Sequence, residues 1–256
     1  MGIHGTEKNT VPTSSPVVSL LNSQGKSAVL IVCEHASNFV PEKYKDLGLS
    51  KELLQSHIAW DPGANKVAMH LSKLLDAPYV KGEVSRLVYD CNRPINAASA
   101  IPEKSEIYEV PGNMNLSQVA KKQRVEEIYQ PFEDCLTHAL SAFSSPPAII
   151  TIHSFTAVYA NNPRTVELGI LHDKDTRLAD AMLNVADKHT SLVTLRNEPY
   201  GPTNRGVTHT ITTHASPINA PCVMIEIRND LITNEIECKN IAVMLHSLIT
   251  EALSKM

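Results

Sequence analysis

Two apolar rhythms alternate along this chain: short unbroken runs, and stripes that recur at helical spacing. SAVLIVC at 27–33 is almost wholly apolar and ends on a polar corner, Glu34 and His35. A central strand packed on both faces has that pattern, because neither side of it meets water. PAIITIH at 147–153 repeats the pattern and closes on His153. PCVMIEI at 221–227 repeats it again, with Glu226 where an apolar residue is usual. VELGILHD (166–173), SLVTL (191–195), PYVKGEV (78–84) and SRLVYDC (85–91) read as further strands.

Between these runs lie the stripes. In 61–77, Val67, Leu71, Leu74 and Leu75 fall on one helical face, and Asp61-Pro62 supplies a start signal. Residues 116–143 are helical with a break expected near Pro131, whose ring clashes with the preceding turn. Helices are also predicted over 176–189 and 234–253. Residues 92–115 have no period, and a loop of that length usually serves a site. Residues 1–16, rich in Ser, Thr, Pro and Asn, read as a disordered lead-in. Strands alternating with helices predict one α/β domain over 17–256, built on a largely parallel sheet.

Composition narrows the function more than the fold. The 256 residues are 43% apolar and 20% charged, as expected of a chain that buries a real core. A net charge of −4 gives no basic footprint for nucleic acid or an anionic membrane. No apolar run approaches the ~20 residues of a bilayer span, and the polar N-terminus lacks the apolar stretch of a secretory signal. The five cysteines form no CxxC pair and are odd in number, so reduced thiols and a cytoplasmic setting are expected.

The chemistry gathers where strands end, which is where open α/β sheets bind ligands. His35 and His153 each close an apolar run, Glu226 interrupts one, and Asp61 stands beside Trp60 at a helix start. Two imidazoles and a carboxylate suit zinc, and a second carboxylate nearby can take a proton from water. Each residue also has a plainer reading. A strand-end histidine is often only hydrogen-bonded, Asp61 can cap its helix, and Glu226 can pair with Arg228 or Arg86. Glu34 is open between a fourth ligand, a partner to a ligand and a solvated acid. Arg86, Arg93 and Arg164 suit an anionic substrate if they converge beside a metal, while Arg86 or Arg93 can instead pair internally with Asp90.

Taken in order, VCEHASNFVP, HIAWDPGA, VSRLVYDCNRP, the IPE and PGN of the long loop, TIHSFTA, NEPYGP and VMIEIRNDLI resemble the N-formylglutamate amidohydrolase family. The resemblance implies a phosphorylase/hydrolase-like three-layer α/β/α sandwich with a mixed, largely parallel sheet, related to zinc carboxypeptidases. It further implies one zinc per chain held by His35, Asp61 and His153, with Glu226 as general base. Arg164 would steady the developing oxyanion, and Arg86, Asn92, Arg93 and Ser154 would face substrate. The chain has Glu-His-Ala-Ser where the branch assigned to histidine degradation has a Pro-His-Ser-Gly-like corner. Hydrolysis of the amide of a small anionic N-acyl amino acid is therefore the expectation, rather than formylglutamate itself. The rivals are a metallopeptidase or peptidoglycan-type amidase on a larger substrate, and a binding protein that keeps the fold without the chemistry.

Overall fold

A computed structural model describes residues 16–201 and 206–256. The lead-in expected over 1–16 lies outside the described residues except for Pro16. Seven strands form one mixed sheet: β1 (Val18–Leu21), β2 (Val29–Cys33), β3 (Tyr79–Gly82), β4 (Ala148–Phe155), β5 (Leu168–Leu171), β6 (Thr194–Arg196) and β7 (Cys222–Arg228). Their order across the sheet is β1-β3-β2-β4-β7-β5-β6. The central β3, β2, β4 and β7 run parallel, β1 is antiparallel to β3, and β5 is antiparallel to β7.

The unbroken apolar runs become the strands with both faces covered. Every residue of β2 and β4 is buried. Alternate side chains then feed two separate cores. Val29, Ile31, Ile150, Ile152, Val223 and Ile225 pack beneath α2 (Ala64–Leu75), α5 (Arg177–Leu183), α6 (Ala186–His189) and α8 (Glu235–Ser254). Leu30, Val32, Ile149 and Met224 pack on the opposite face against α4 (Gln130–Ser141), α7 (His209–His214) and the long loop. The short helices α1 (Lys51–Gln55) and α3 (Gln118–Arg124) complete the set, and the architecture is the expected α/β/α sandwich.

Several elements differ from the pattern reading. Segment 85–91 is not a strand: Ser85 C=O accepts from Val88 N–H at 2.9 Å and its hydroxyl from Leu87 N–H at 3.2 Å, which curls the chain. Leu87, Val88 and Tyr89 are all buried there, and three consecutive apolar residues in a buried turn mimic a strand. Edge strand β1 was not expected, being short and half-exposed. Where a kink or break was expected near Pro131, the chain stays helical from Gln118 to Ser141 and accommodates the ring by a π turn at Val125–Tyr129. The 176–189 helix divides into α5 and α6.

Asp61 does not cap α2. The residue before that helix is Gly63, at φ 83°, and no side chain caps the end. A Cβ at Gly63 would meet Ile232 O at 2.5 Å, so both the backbone conformation and the contact require glycine. The Asp61 carboxylate is thereby turned away from the helix, toward the strand ends.

Candidate metal centre and active-site cleft

The β4–β7 register sets Glu226 directly opposite His153 on neighbouring parallel strands, so both side chains rise from the same face of the sheet. His35 follows β2 by two residues, and its ring stands edge-on to that of His153 with centroids 5.0 Å apart. The backbone N–H of Asp61 donates to His35 O at 3.0 Å, pinning the 56–63 loop across the strand ends. His35, Asp61 and His153 are all buried, and they offer one donor atom each within 4.8 Å of one another.

The donor set fits a divalent metal ion. Nδ1 of His35 and Nδ1 of His153 lie 3.3 and 2.9 Å from Asp61 Oδ2, so three N/O donors converge. The outward Nε2 of each ring has its own carboxylate. His35 Nε2 is 2.7 Å from Asp90 Oδ1, and His153 Nε2 is 3.1 Å from Glu34 Oε2, though the latter contact lacks hydrogen-bond geometry. The hydrogen bond to Asp90 fixes the His35 ring and its tautomer, as around bound metals, while Glu34 stands as a charge close behind the His153 ring. Asp61 Oδ1 is held by Arg86 Nη1 at 3.2 Å, which leaves Oδ2 as the atom facing the imidazoles. Glu34, open in the sequence, is thus a buried partner of His153 and not a solvated acid. Asp90, expected only as a mate for arginine, bridges His35 to Arg86.

Charge in this buried cluster is mutually arranged. Burial works against ionisation of Asp61, but His35, His153 and Arg86 hold its carboxyl well below the usual range. Burial likewise opposes Asp90 and Glu34, yet His35 with the arginines lowers the one and the two histidines lower the other. Burial and Arg86 would lower His35, but Asp90 and Asp61 outweigh them; Glu34 and Asp61 raise His153 further against burial alone. Glu226 is the exception. Burial pushes its carboxyl up to about 7, Asp61 adds to the rise, and the histidines and Arg86 only partly offset it. Its Oε2 has no hydrogen-bond partner.

Two connected cavities open here. The inner, about 230 Å³, is lined by His35, Asp61, His153 and Glu226. The outer, about 680 Å³, shares Asp61, Arg86, Arg93, Ser99 and Tyr200 with it and continues past Ser154 to Arg164. The residues expected to face substrate are all near, but several are engaged by the protein. Arg86 is paired with Asp61 and with Asp90 at 3.1 Å. Asn92 holds the 207–210 segment, donating to Val207 O at 2.6 Å and accepting from Thr210 N–H at 3.0 Å. Arg93 donates to the carbonyls of Asn92 and Gly206 at 2.8 and 3.1 Å. Ser154 donates its hydroxyl to Pro62 O at 2.8 Å, bracing the Asp61 turn. Arg164 lines only the outer cavity. Tyr200, not singled out from the sequence, stands where the two cavities meet; the NEPYGP motif was its only signal.

A family model described as N-formylglutamate amidohydrolase matches residues 27–233. Among solved structures, a gene product of Agrobacterium tumefaciens is 50% identical, with a TM-score of 0.91 over 94% of this chain and 96% of that one. An N-formylglutamate amidohydrolase from Ralstonia eutropha superposes with a TM-score of 0.67 at 15% identity, covering 94% of this chain and 99% of that one, a likeness of fold alone. No curated protein matches the sequence. Among the described residues, no helix is long and apolar enough to cross a membrane.

Proposed function

Because the chain belongs to the N-formylglutamate amidohydrolase family, we propose that it is a zinc-dependent hydrolase of N-acyl amino acids, cleaving the amide to release the acid and the free amino acid. The observation that carries this is Glu226. It is a buried carboxylate with an unpartnered oxygen, set opposite His153 in the chamber that also holds His35 and Asp61.

His35, Asp61 and His153 would hold the zinc, with Asp90 and Glu34 orienting the two imidazoles. When bound, zinc would supply Lewis acidity toward the scissile carbonyl and toward water. Glu226 takes the proton of the attacking water at Oε2 and hands it to the leaving nitrogen. A carboxyl lifted to about 7 by burial is suited to both transfers. Arg86 and Asp90 keep the donor set rigid, so little reorganisation accompanies reaction. Five cysteines without disulfide partners fit the reducing cytoplasm as its setting.

A second reading, a metallopeptidase or amidase on a longer substrate, draws on the outer cavity of about 680 Å³, which exceeds what a formyl amino acid fills. One experiment addresses the central assignment. Glu226→Gln should keep stoichiometric zinc by elemental analysis and lose at least ~10²-fold in kcat on the best of a panel of N-formyl and N-acetyl amino acids. Loss of zinc would make Glu226 a ligand, and near-full turnover would remove it from catalysis. Failure of the wild type on every member would refute the N-acyl amino acid assignment.

A further inference from the structure

The NEPYGP segment crosses the sheet directly beside Glu226. Glu226 is paired with Gly169 across the antiparallel β7–β5 ladder, so side chains at the two positions would rise from one face. Gly169 has no side chain, and Glu198 O occupies the place its Cβ would take. Asn197 clips the segment down. Its N–H donates to Ile170 O at 3.0 Å, and its Oδ1 accepts from His172 N–H at 2.9 Å. Gly201 N–H then donates to Asn197 O at 2.6 Å, closing a turn that carries Tyr200.

Tyr200 thereby lines the inner cavity together with Asp61, His153 and Glu226, and it lines the outer one as well. The Arg164 guanidinium stands over its ring, 5.6 Å from the centroid, and is itself held 4.7 Å from the Tyr159 ring and 5.4 Å from that of Phe155. A cation on the ring face seats the ring and leaves its hydroxyl untouched. That hydroxyl has no hydrogen-bond partner among the described residues. Burial and the charges of Glu226 and Asp61 push the phenol up from its ordinary range, and Arg86 and Arg164 offset this only in part. It therefore stays a neutral O–H donor.

The other donors of the inner wall are engaged. Arg86 gives Nη1 to Asp61 and Nη2 to Asp90, and Asn92 gives its amide to Val207 O. Arg93 gives Nη1 to two backbone carbonyls and keeps Nε 3.9 Å from Asp90 Oδ2. Ser99 is exposed, and its hydroxyl is solvated. Arg164, on which the family resemblance placed the developing oxyanion, lines only the outer cavity. Amide hydrolysis nevertheless calls for a donor at the scissile oxygen. As water adds, the C=O π pair moves onto that oxygen and its charge grows. A fixed phenol beside the base, in a chamber of about 230 Å³, makes a hydrogen bond that strengthens as the charge appears.

We propose that Tyr200 is a catalytic residue whose hydroxyl donates to the scissile oxygen of the substrate as that oxygen becomes negative. The inference rests on the hydrolase reading for the reaction itself. In the addition step the water oxygen bonds to carbon, Glu226 takes the water proton, and Tyr200 keeps its own. When the pair returns from oxygen, the C–N bond breaks and the nitrogen takes the proton from Glu226.

Zinc-loaded wild type and Tyr200→Phe are compared on the N-formyl or N-acetyl amino acid that the wild type cleaves best. Calorimetry adds two unreactive ligands: the amino acid product, and the phosphinate in which PO₂–CH₂ replaces the scissile CO–NH. Tyr200→Phe keeps the ring, so KM and product affinity should stay within about twofold of wild type. Its kcat should fall by about 10²-fold, and its phosphinate affinity by about tenfold or more. The ratio of phosphinate to product affinity, taken on one sample, does not depend on how much of the variant is folded. Equal losses for the two ligands would make Tyr200 only a wall of the site, and kcat within about threefold of wild type would remove its hydroxyl from the reaction. Either result overturns the proposal. A wild type that cleaves no member of the panel sinks the hydrolase reading and this role together, whereas an active wild type with an equally active variant sinks the role alone.

Discussion

Replacing Asp90 by asparagine removes a charge from the candidate metal centre while leaving its shape almost intact. Asp90 is 3% exposed, accepts from His35 Nε2 at 2.7 Å and Arg86 Nη2 at 3.1 Å, and receives the backbone N–H of Asn92 at 3.0 Å. Asparagine can still offer one oxygen to His35, so the ring keeps a partner but loses the carboxylate that makes Nδ1 a better donor. Loss of such a partner lowers metal affinity by about 10–100-fold, or about 1.4–2.7 kcal/mol. Breaking a buried ion pair costs about 3–5 kcal/mol in general. Arg86 keeps Asp61 and remains 25% exposed, so about 2–3 kcal/mol of apo stability should be lost. Zinc affinity is read by competition with a chelating dye at neutral pH, and stability by thermal melting of the metal-free protein. The two readouts separate the roles. If the melt falls but zinc affinity stays within about twofold of wild type, Asp90 is a structural mate of Arg86 and the outer-partner argument fails.

Metal affinity should also depend on pH. Carboxylates outweigh burial and raise both imidazoles above their ordinary range, so in the metal-free protein protons compete with a metal for the two rings. Affinity should therefore rise with pH, by up to about a hundredfold per unit when both protons are displaced, and level off once the rings are neutral. Calorimetry between about pH 6 and 8 that showed a flat affinity would contradict this. Gly82→Ala should act at a distance on the same centre. A Cβ there would stand 2.2 Å from the backbone Glu34 O, which cannot swing aside as a side chain would, so the Glu34-His35 corner must move. A cost of at least about 2 kcal/mol, a Tm lower by about 4–8 °C, and weakened zinc binding are expected; an unchanged Tm would show that the corner yields freely.

The sequence by itself determined which segments are central strands, because Leu30, Ile31, Ile149, Ile150, Val223 and Ile225 can be buried on both faces only in the middle of a sheet. It also placed His35 and His153 where two apolar runs close and Glu226 inside a third, and the ordered motifs marked the family. Tertiary structure decided how these residues meet. Glu226 faces His153 because β7 lies beside β4 in one register, and a slip of one residue would send it to the opposite core. Local pattern shows that a face is buried but not which strand it is buried beside. Asp61 shows the same limit: DPGA is good capping chemistry, and only the Gly63 turn and the His35 carbonyl, 26 positions away, commit the carboxylate to the imidazoles. The arginines show it most fully. Arg86, Arg93 and Arg164 carry the same side chain, and nothing in the sequence beside each says what its charge will meet. Their charges differ in use because Asp61 and Asp90 fold onto one, backbone carbonyls meet another, and three aromatic rings surround the third.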